Sequence, residues 1–121
     1  MAEAIRFSQL TSARQELVRL CQSINYGGIQ SLEVRHGEPC LTDPGPSVLV
    51  DVRLDSEELT RDESSLVDFV LCAEVRRLMS LLDRVGNGKV LKIEVRAGIP
   101  RRVTLEKQLK DVEFEQSPAA R

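Results

Sequence analysis

The residues best suited to chemistry in this chain are its single histidine and a nearby cysteine. His36 and Cys40 stand four positions apart, a spacing at which a cysteine nucleophile could have a histidine base. Such a pair also needs a group that orients the histidine and donors for an oxyanion, and the sequence shows neither. His36-Gly37 is a tight-turn signal, which favours an exposed turn histidine, and strand packing explains Cys40 equally well. The sequence therefore predicts a protein that is not an enzyme.

No metal or cofactor site is expected either. Cys21, Cys40 and Cys72 are odd in number and widely spaced, and with one histidine they do not form a usual zinc pattern. The acidic stretch 51–68 lacks the spacing of a calcium loop and is interpreted as a solvated linker with a helix cap. The glycines of "YGGI" and "GNGK" follow predicted helices, whereas a phosphate-binding loop precedes one.

The most specific feature is a motif, "EVRxGxP", that occurs twice. On each predicted strand a glutamate and an arginine share one face, two positions apart. Ion pairing across strands on an exposed sheet face would explain them, and so would two hairpins that present arginines to a partner. The candidate partner-binding residues are Glu33, Arg35, Lys92, Glu94, Arg96, Arg101 and Arg102.

These motifs lie in a longer internal repeat. Leu17–Pro39 aligns with Leu78–Pro100 without a gap at a shift of 61, and eight of the 23 positions are identical. Two copies do not make a solenoid, so the repeat predicts duplication of one αββ unit around a shared core. The units cover about 12–54 and 62–110, within a single domain of residues 1–121, and 111–121 is expected to be a flexible tail.

The first unit has the pattern of a helix followed by strands. Ser12 and Gln15 have the form of a capping box, and Gly27-Gly28 is expected to end the helix. Apolar residues fall at helical spacing at Ala13, Leu17, Leu20, Cys21 and Ile24. In "IQSLEVR", Leu32 and Val34 alternate with polar residues, as in a half-buried strand. His36-Gly37 then turns the chain, Pro39 begins the return strand, and "VLVDVRL" is predicted as a third strand.

The second unit repeats this arrangement and completes the predicted fold. Asp62 or Ser64 is expected to cap a long helix. Its apolar stripe is Val67, Val70, Leu71, Val75, Leu78, Leu81, Leu82 and Val85. In the following strand Leu91, Ile93 and Val95 are expected to face the core. The predicted fold class is α+β: a two-layer sandwich of order αβββαββ, with both helices on one face of an antiparallel sheet.

Charge is balanced over the whole chain but not along it. The 121 residues carry a net charge of −2, yet 38–68 has nine acids and two bases, while 76–110 has ten bases and three acids. These segments could attract each other, or one could face a partner. No apolar run suits a signal peptide or a bilayer span, and the cysteine pattern suits a reducing compartment, so a cytoplasmic protein is expected.

"LCQSINYGGIQSLEVRHGEP" and "LLDRVGNGKVLKIEVRAGIP" resemble a family of very short bacterial proteins known as domain of unknown function 2292. Each copy corresponds to one such unit, so the chain resembles a fused tandem. The resemblance implies this fold and a small bacterial, cytosolic protein, and it brings no activity. Pro39 and Pro100, which follow the turns, depart from the family's pattern.

Two functional hypotheses follow. The first is a non-enzymatic protein-binding or regulatory module, which could pair with itself through edge strands. The second is a nucleic-acid-binding module using the bases Lys89, Lys92, Arg96, Arg101, Arg102, Lys107 and Lys110. Against the second stand a sequence pI near 5.5 and few aromatic residues for stacking on bases.

Overall fold

The computed structural model describes residues 3–42, 45–55 and 66–106. After a short 3₁₀ helix at Phe7–Gln9, the elements in chain order are α1 (Ser12–Ile24), β1 (Gly27–Arg35), β2 (Glu38–Cys40), β3 (Ser47–Val50), α2 (Ala73–Val85), β4 (Gly88–Arg96) and β5 (Ile99–Leu105). The fold is α+β, and the predicted order αβββαββ is confirmed over the described residues.

The described strands form one antiparallel sheet in the order β2-β1-β4-β5. β1 and β4 are its central pair, with Ile29 opposite Ile93. β2 pairs with the C-terminal end of β1 and β3 with its N-terminal end. Because β4 occupies one side of β1 along its length, β2 and β3 share the other side as an interrupted edge strand.

The core lies between the sheet and both helices. The buried strand residues are Ile29, Leu32, Val34, Val90, Ile93 and Val95. The buried helix residues are Leu17, Val18, Cys21, Ile24, Val75, Leu78, Met79 and Leu82. All of them belong to one cluster, so both helices cover the same face of the sheet. None of the helices in the described part of the chain is long and apolar enough to cross a bilayer.

The alternation predicted for β4 is wrong at Leu91. Val90 is buried and Leu91 is exposed, because the register of β4 against β5 shifts between Val90 and Lys92. Such an irregularity places two successive residues on the outer face. β1 has the same spacing of buried residues around Ser31, whose φ is 62°.

The predicted start and end of α1 are also corrected. The N-cap is Thr11 and not Ser12, because the Thr11 hydroxyl oxygen accepts a hydrogen bond of 3.3 Å from the backbone amide of Arg14. Asn25, with a φ of 65°, follows the last helical residue, so Gly27 and Gly28 do not end the helix but begin β1. With a ψ of −65° and a hydrogen bond of 2.7 Å from the Tyr26 amide to the carbonyl oxygen of Ile24, Asn25 is the central residue of a γ-turn.

The second helix begins later than predicted, at Ala73. Val67 is 89% exposed, and residues 69–71 are extended instead of helical, since Val70 forms a β-bridge with Arg6. Pairing with the N-terminal segment therefore outweighs the apolar periodicity. The proposed caps Asp62 and Ser64 lie outside the described residues, as does 111–121.

The third strand is shorter than "VLVDVRL" predicts, because β3 ends at Val50. Its position depends on Gly27. A Cβ built on Gly27 would lie 2.0 Å from the carbonyl oxygen of Leu49, so a side chain there would collide with the β3 backbone.

The element bounds repeat at the interval of the sequence repeat. α1 and α2 are offset by 61 positions at both ends, and so are β1 and β4. The turn residues His36 and Ala97 have φ values of 53° and 54°, and Gly37 and Gly98 have 76° and 75°. Positive φ at both central residues is the signature of a type I′ hairpin turn, so the predicted tight turns are confirmed.

Candidate functional site

The doubled glutamate–arginine motif forms ion pairs within each strand. Arg35 lies 3.3 Å from Glu33, and Arg96 lies 3.8 Å from Glu94. Each glutamate therefore has an ion-pair partner two positions along its own strand, and each also stands opposite a basic residue of the neighbouring strand, Lys89 for Glu33 and Arg102 for Glu94. Both arginine side chains are more than 60% exposed, so each pair contributes at most about 1 kcal/mol to stability.

The outer face of the β4–β5 hairpin also carries two further predicted residues, Lys92 and Arg102. Glu94 stands opposite Arg102, and Lys92 stands opposite Thr104. Both Lys92 and Arg102 are exposed. A shallow groove of about 470 Å³ lies near the turn of the hairpin. It is lined by Tyr26, Glu94, Arg96, Ala97, Arg101 and Arg102.

Arg101 also lines that groove, but its guanidinium group reaches the helix layer. A register shift in β5 at Glu94/Val95 leaves Arg101 without a partner on β4. Its Nη1 donates to Glu74 Oε2 of α2 at 2.9 Å. Lys92 and Arg96 thus lie on the outer sheet face, whereas Arg101 and Arg102 also line a groove on the α2 side. Lys107 and Lys110 lie outside the described residues.

A second groove, between α2 and β5, concentrates arginines around an apolar floor. It has a volume of about 240 Å³. We call it the arginine groove; its lining residues are Glu74, Arg77, Leu78, Leu81, Arg84, Pro100, Arg101, Arg102 and Val103. All four of its arginines are exposed. The arginine groove therefore combines four positively charged side chains, one carboxylate and an apolar floor.

The single carboxylate of the groove stays ionised. The pKa of Glu74 is lowered chiefly by a hydrogen bond from its own backbone amide, near the start of α2, and further by the nearby charges of Arg101 and Arg77. Glu74 thus neutralises only part of the groove. Arg84 and Arg102 have no carboxylate within ion-pair distance among the described residues.

The corresponding positions in the first half of the chain carry no arginine. At an offset of 61, Arg77 and Arg84 correspond to Glu16 and Ser23 on the same face of α1. Arg101 and Arg102 correspond to Cys40 and Leu41. The arginine cluster is therefore a feature of the second half alone, since α1 and β2 form without arginine at the three of these positions that lie within them.

Sequence reasoning missed Arg77 and Arg84. A signal was present, because Arg77, Leu81 and Arg84 are spaced four and three apart and therefore share one helix face. Only the packing of α2 beside β5 brings them next to Arg101 and Arg102.

The other candidate residues are not gathered into a site. His36 is exposed in its turn, where its backbone amide donates to Asn87 Oδ1 at 3.0 Å. The thiol of Cys40 lies 4.0 Å from the carbonyl oxygen of Glu38. Over the described ranges no three His, Cys, Asp or Glu side chains are arranged to hold a metal ion.

Comparison with known proteins adds no relative. A scan against family models, a search of curated proteins and a search of solved structures each found no match.

Proposed function

We propose that this chain is a non-enzymatic protein-binding or regulatory module. The observation that supports it best is the arginine excess of the second half, at positions that correspond, at an offset of 61, to Glu16, Ser23, Cys40 and Leu41 in the first half. Arginine is enriched on surfaces that meet a partner protein.

We also propose that the module arose by duplication of one αββ unit. In the β1–β4 pairing, Gly27 is opposite Val95 and Val34 is opposite Gly88. The shift of 61 converts the first of these pairs into the second, as an approximate internal two-fold axis requires. Val34 and Val95 are both 1% exposed; Leu20 and Leu81, which the repeat leads one to expect in the core, are only half-buried. The resemblance to the short bacterial family, one unit per copy, supports the same proposal, and with it a bacterial, cytosolic protein.

Co-purification at low ionic strength from the cells of origin tests the protein-binding proposal. We expect the wild-type chain to retain a specific protein in near-stoichiometric amount, which mass spectrometry would identify. Nuclease treatment before elution should leave that protein bound. Recovery of nucleic acid alone, with no specific protein, would contradict the proposal.

Nucleic-acid binding is the second candidate, because Lys92, Arg96 and Arg102 are all exposed on the outer face of the β4–β5 hairpin. Phosphate contacts release counterions, so such binding would weaken steeply as salt rises. A mobility-shift assay with generic DNA and RNA at low salt compares the wild type with the triple variant Arg96→Glu, Arg101→Glu, Arg102→Glu. We expect no shift at micromolar protein; a salt-sensitive shift that the triple variant abolishes would favour this second candidate.

Self-association is a third route, through the edge strand β3. Val48, Leu49 and Val50 are each exposed by more than 40%, and over the described residues β3 pairs only with β1. Exposed apolar edges favour pairing with another strand. If β3 mediates a dimer, Leu49→Lys should convert it to a monomer in light scattering, whereas Leu54→Lys, at a position that is 95% exposed outside the strand, should not.

A further inference from the structure

We infer that the arginine groove binds an acidic segment of a partner protein, with apolar side chains interspersed among its carboxylates. This inference rests on the proposed protein-binding function and assigns it a surface and a partner chemistry.

The shape of the groove suits side chains better than a small metabolite. Its volume, about 240 Å³, is below the range of most small-molecule pockets. Leu81, Pro100 and Val103 form the apolar floor, where one or two aliphatic side chains can lose water. Acidic residues beside those anchors would then reach the arginines on the rim.

The positively charged side chains of the groove outnumber its negatively charged ones. Four arginines and one glutamate line the groove, and the carboxylate of Glu74 is hydrogen-bonded to Arg101. The groove therefore carries an excess of positive charge, which attracts an acidic ligand. Arginine also presents a planar fork of donors that matches a carboxylate in two parallel hydrogen bonds. Arg77, Arg84 and Arg102 are the three available for such bonds.

An acidic peptide fits this surface better than a nucleic acid does. Phosphate backbones need a continuous basic track, whereas Glu74 stands within the groove. Single-stranded bases need aromatic platforms, and the groove lining includes no aromatic residue. An apolar floor inside an arginine rim matches alternating apolar and acidic side chains.

A fluorescence-anisotropy titration of the full-length chain tests the inference. The probe is a short labelled peptide of alternating glutamate and valine. Comparison probes are a glutamate-only peptide of equal charge, a lysine–valine peptide and a duplex DNA. We expect the glutamate–valine peptide to bind most tightly, with an affinity that falls as ionic strength rises.

Two variants of equal net charge separate the groove from general electrostatics. The groove variant is Arg77→Ala, Arg84→Ala, Arg102→Ala. The control variant is Arg6→Ala, Arg53→Ala, Arg76→Ala, which removes three cations that lie outside the groove lining and have side chains more than 40% exposed. Circular dichroism checks that both are folded. The groove variant should weaken binding at least about tenfold, while the control should stay within about threefold of wild type.

Several outcomes would overturn the inference. Equal losses in both variants would mean non-specific attraction, and groove-dependent binding that is tighter for DNA would assign the groove to nucleic acid. A third variant, Asp111→Asn, Glu113→Gln, Glu115→Gln, removes three carboxylates near the C-terminal end of the sequence. If this variant binds the glutamate–valine peptide and the wild type does not, the ligand of the groove is the chain's own acidic segment and not a partner. No binding by either form would overturn it as well.

The same variants distinguish this inference from the proposed function. If the groove variant still retains the co-purifying protein, the protein-binding function stands and the groove is not its site. If no protein co-purifies with the wild type, the function itself fails, whatever the peptide does.

Discussion

The amide of Gly98 donates a hydrogen bond to the carbonyl oxygen of Asn25, with the two atoms 2.8 Å apart. The equivalent bond, also 2.8 Å, joins the amide of Gly37 to the carbonyl oxygen of Gly86. The hairpin turn of each half is thus bonded to the helix end of the other half. The halves therefore brace each other at two reciprocal points.

This reciprocal bracing predicts a single cooperative unfolding transition. Tyr26, the only tyrosine, lies beside Asn25 in the first half and reports there by fluorescence, while circular dichroism reports on both helices. We expect the two denaturation midpoints to coincide. Different midpoints would show that the halves unfold separately.

The turn glycines should be sensitive to substitution. Gly37 has a φ of 76°, and a Cβ there would lie 3.2 Å from Nη2 of Arg14. Gly37→Ala or Gly98→Ala should each reduce the free energy of unfolding by about 1 kcal/mol or more. Gly86→Asn is the matched control: Gly86 has a φ of 64° with open space around it, and Asn25 already occupies the equivalent position. Chemical denaturation measures all three, and a loss for Gly86→Asn as large as for Gly37→Ala would contradict the argument.

Gly27 should tolerate no side chain, whereas its equivalent Gly88 should. In Gly27→Ala the Cβ would collide with the carbonyl oxygen of Leu49, so β3 would have to move from β1, at a cost of about 1–3 kcal/mol. In Gly88→Ala the nearest atom is Val85 Cγ1 at 3.3 Å, on a side chain that can adjust. Hydrogen exchange should show faster exchange at the amide of Asp51, which bonds Tyr26, in Gly27→Ala only. Unchanged protection at Asp51 in that variant would mean that β3 accommodates the methyl group.

The stabilising effect of ionised Asp68 should be lost in acid. The hydrogen bond from the Arg6 side chain, followed by the one from the Ser8 amide, lowers the pKa of Asp68 to about 2. Because the folded pKa lies below the unfolded value of about 4, this stabilisation is complete above pH ~4 and is lost as the pH falls toward ~2. Asp68→Asn should therefore be less stable than wild type at neutral pH, and the difference should shrink through that window. Asp55→Asn, at an exposed ion pair, is the control, and carboxyl titration by NMR measures the pKa directly.

The three cysteines should differ in reactivity. Cys21 is 1% exposed, and burial raises the pKa of its thiol to about 12, whereas Cys40 and Cys72 are half-buried. Because the thiolate is the reactive form, a thiol reagent should modify Cys40 and Cys72 first. In the double variant Cys40→Ser, Cys72→Ser, labelling should occur only as fast as the chain unfolds. Rapid labelling of that variant would show that the helix core opens in the native state.

Local features were predictable because neighbouring residues determine them. The helix stripe around Leu17 and Leu78, the alternation at Leu32 and Val34, and the glycine turns depend on spacing that is visible in the sequence. The repeat also helped to predict the αβββαββ order, because both copies show the same pattern of a helix followed by strands.

Tertiary contacts decided what the local pattern could not. Pairing of the N-terminal segment with residues 69–71 prevents α2 from starting early, although the apolar spacing continues through Val67 and Val70. A strand irregularity, invisible in the alternation, turns Leu91 outward and Val90 inward. The arginine groove likewise exists only in three dimensions, because Arg77 and Arg84 meet Arg101 and Arg102 through the packing of α2 beside β5. Spacing along one element specifies a face, but only packing determines which two faces meet.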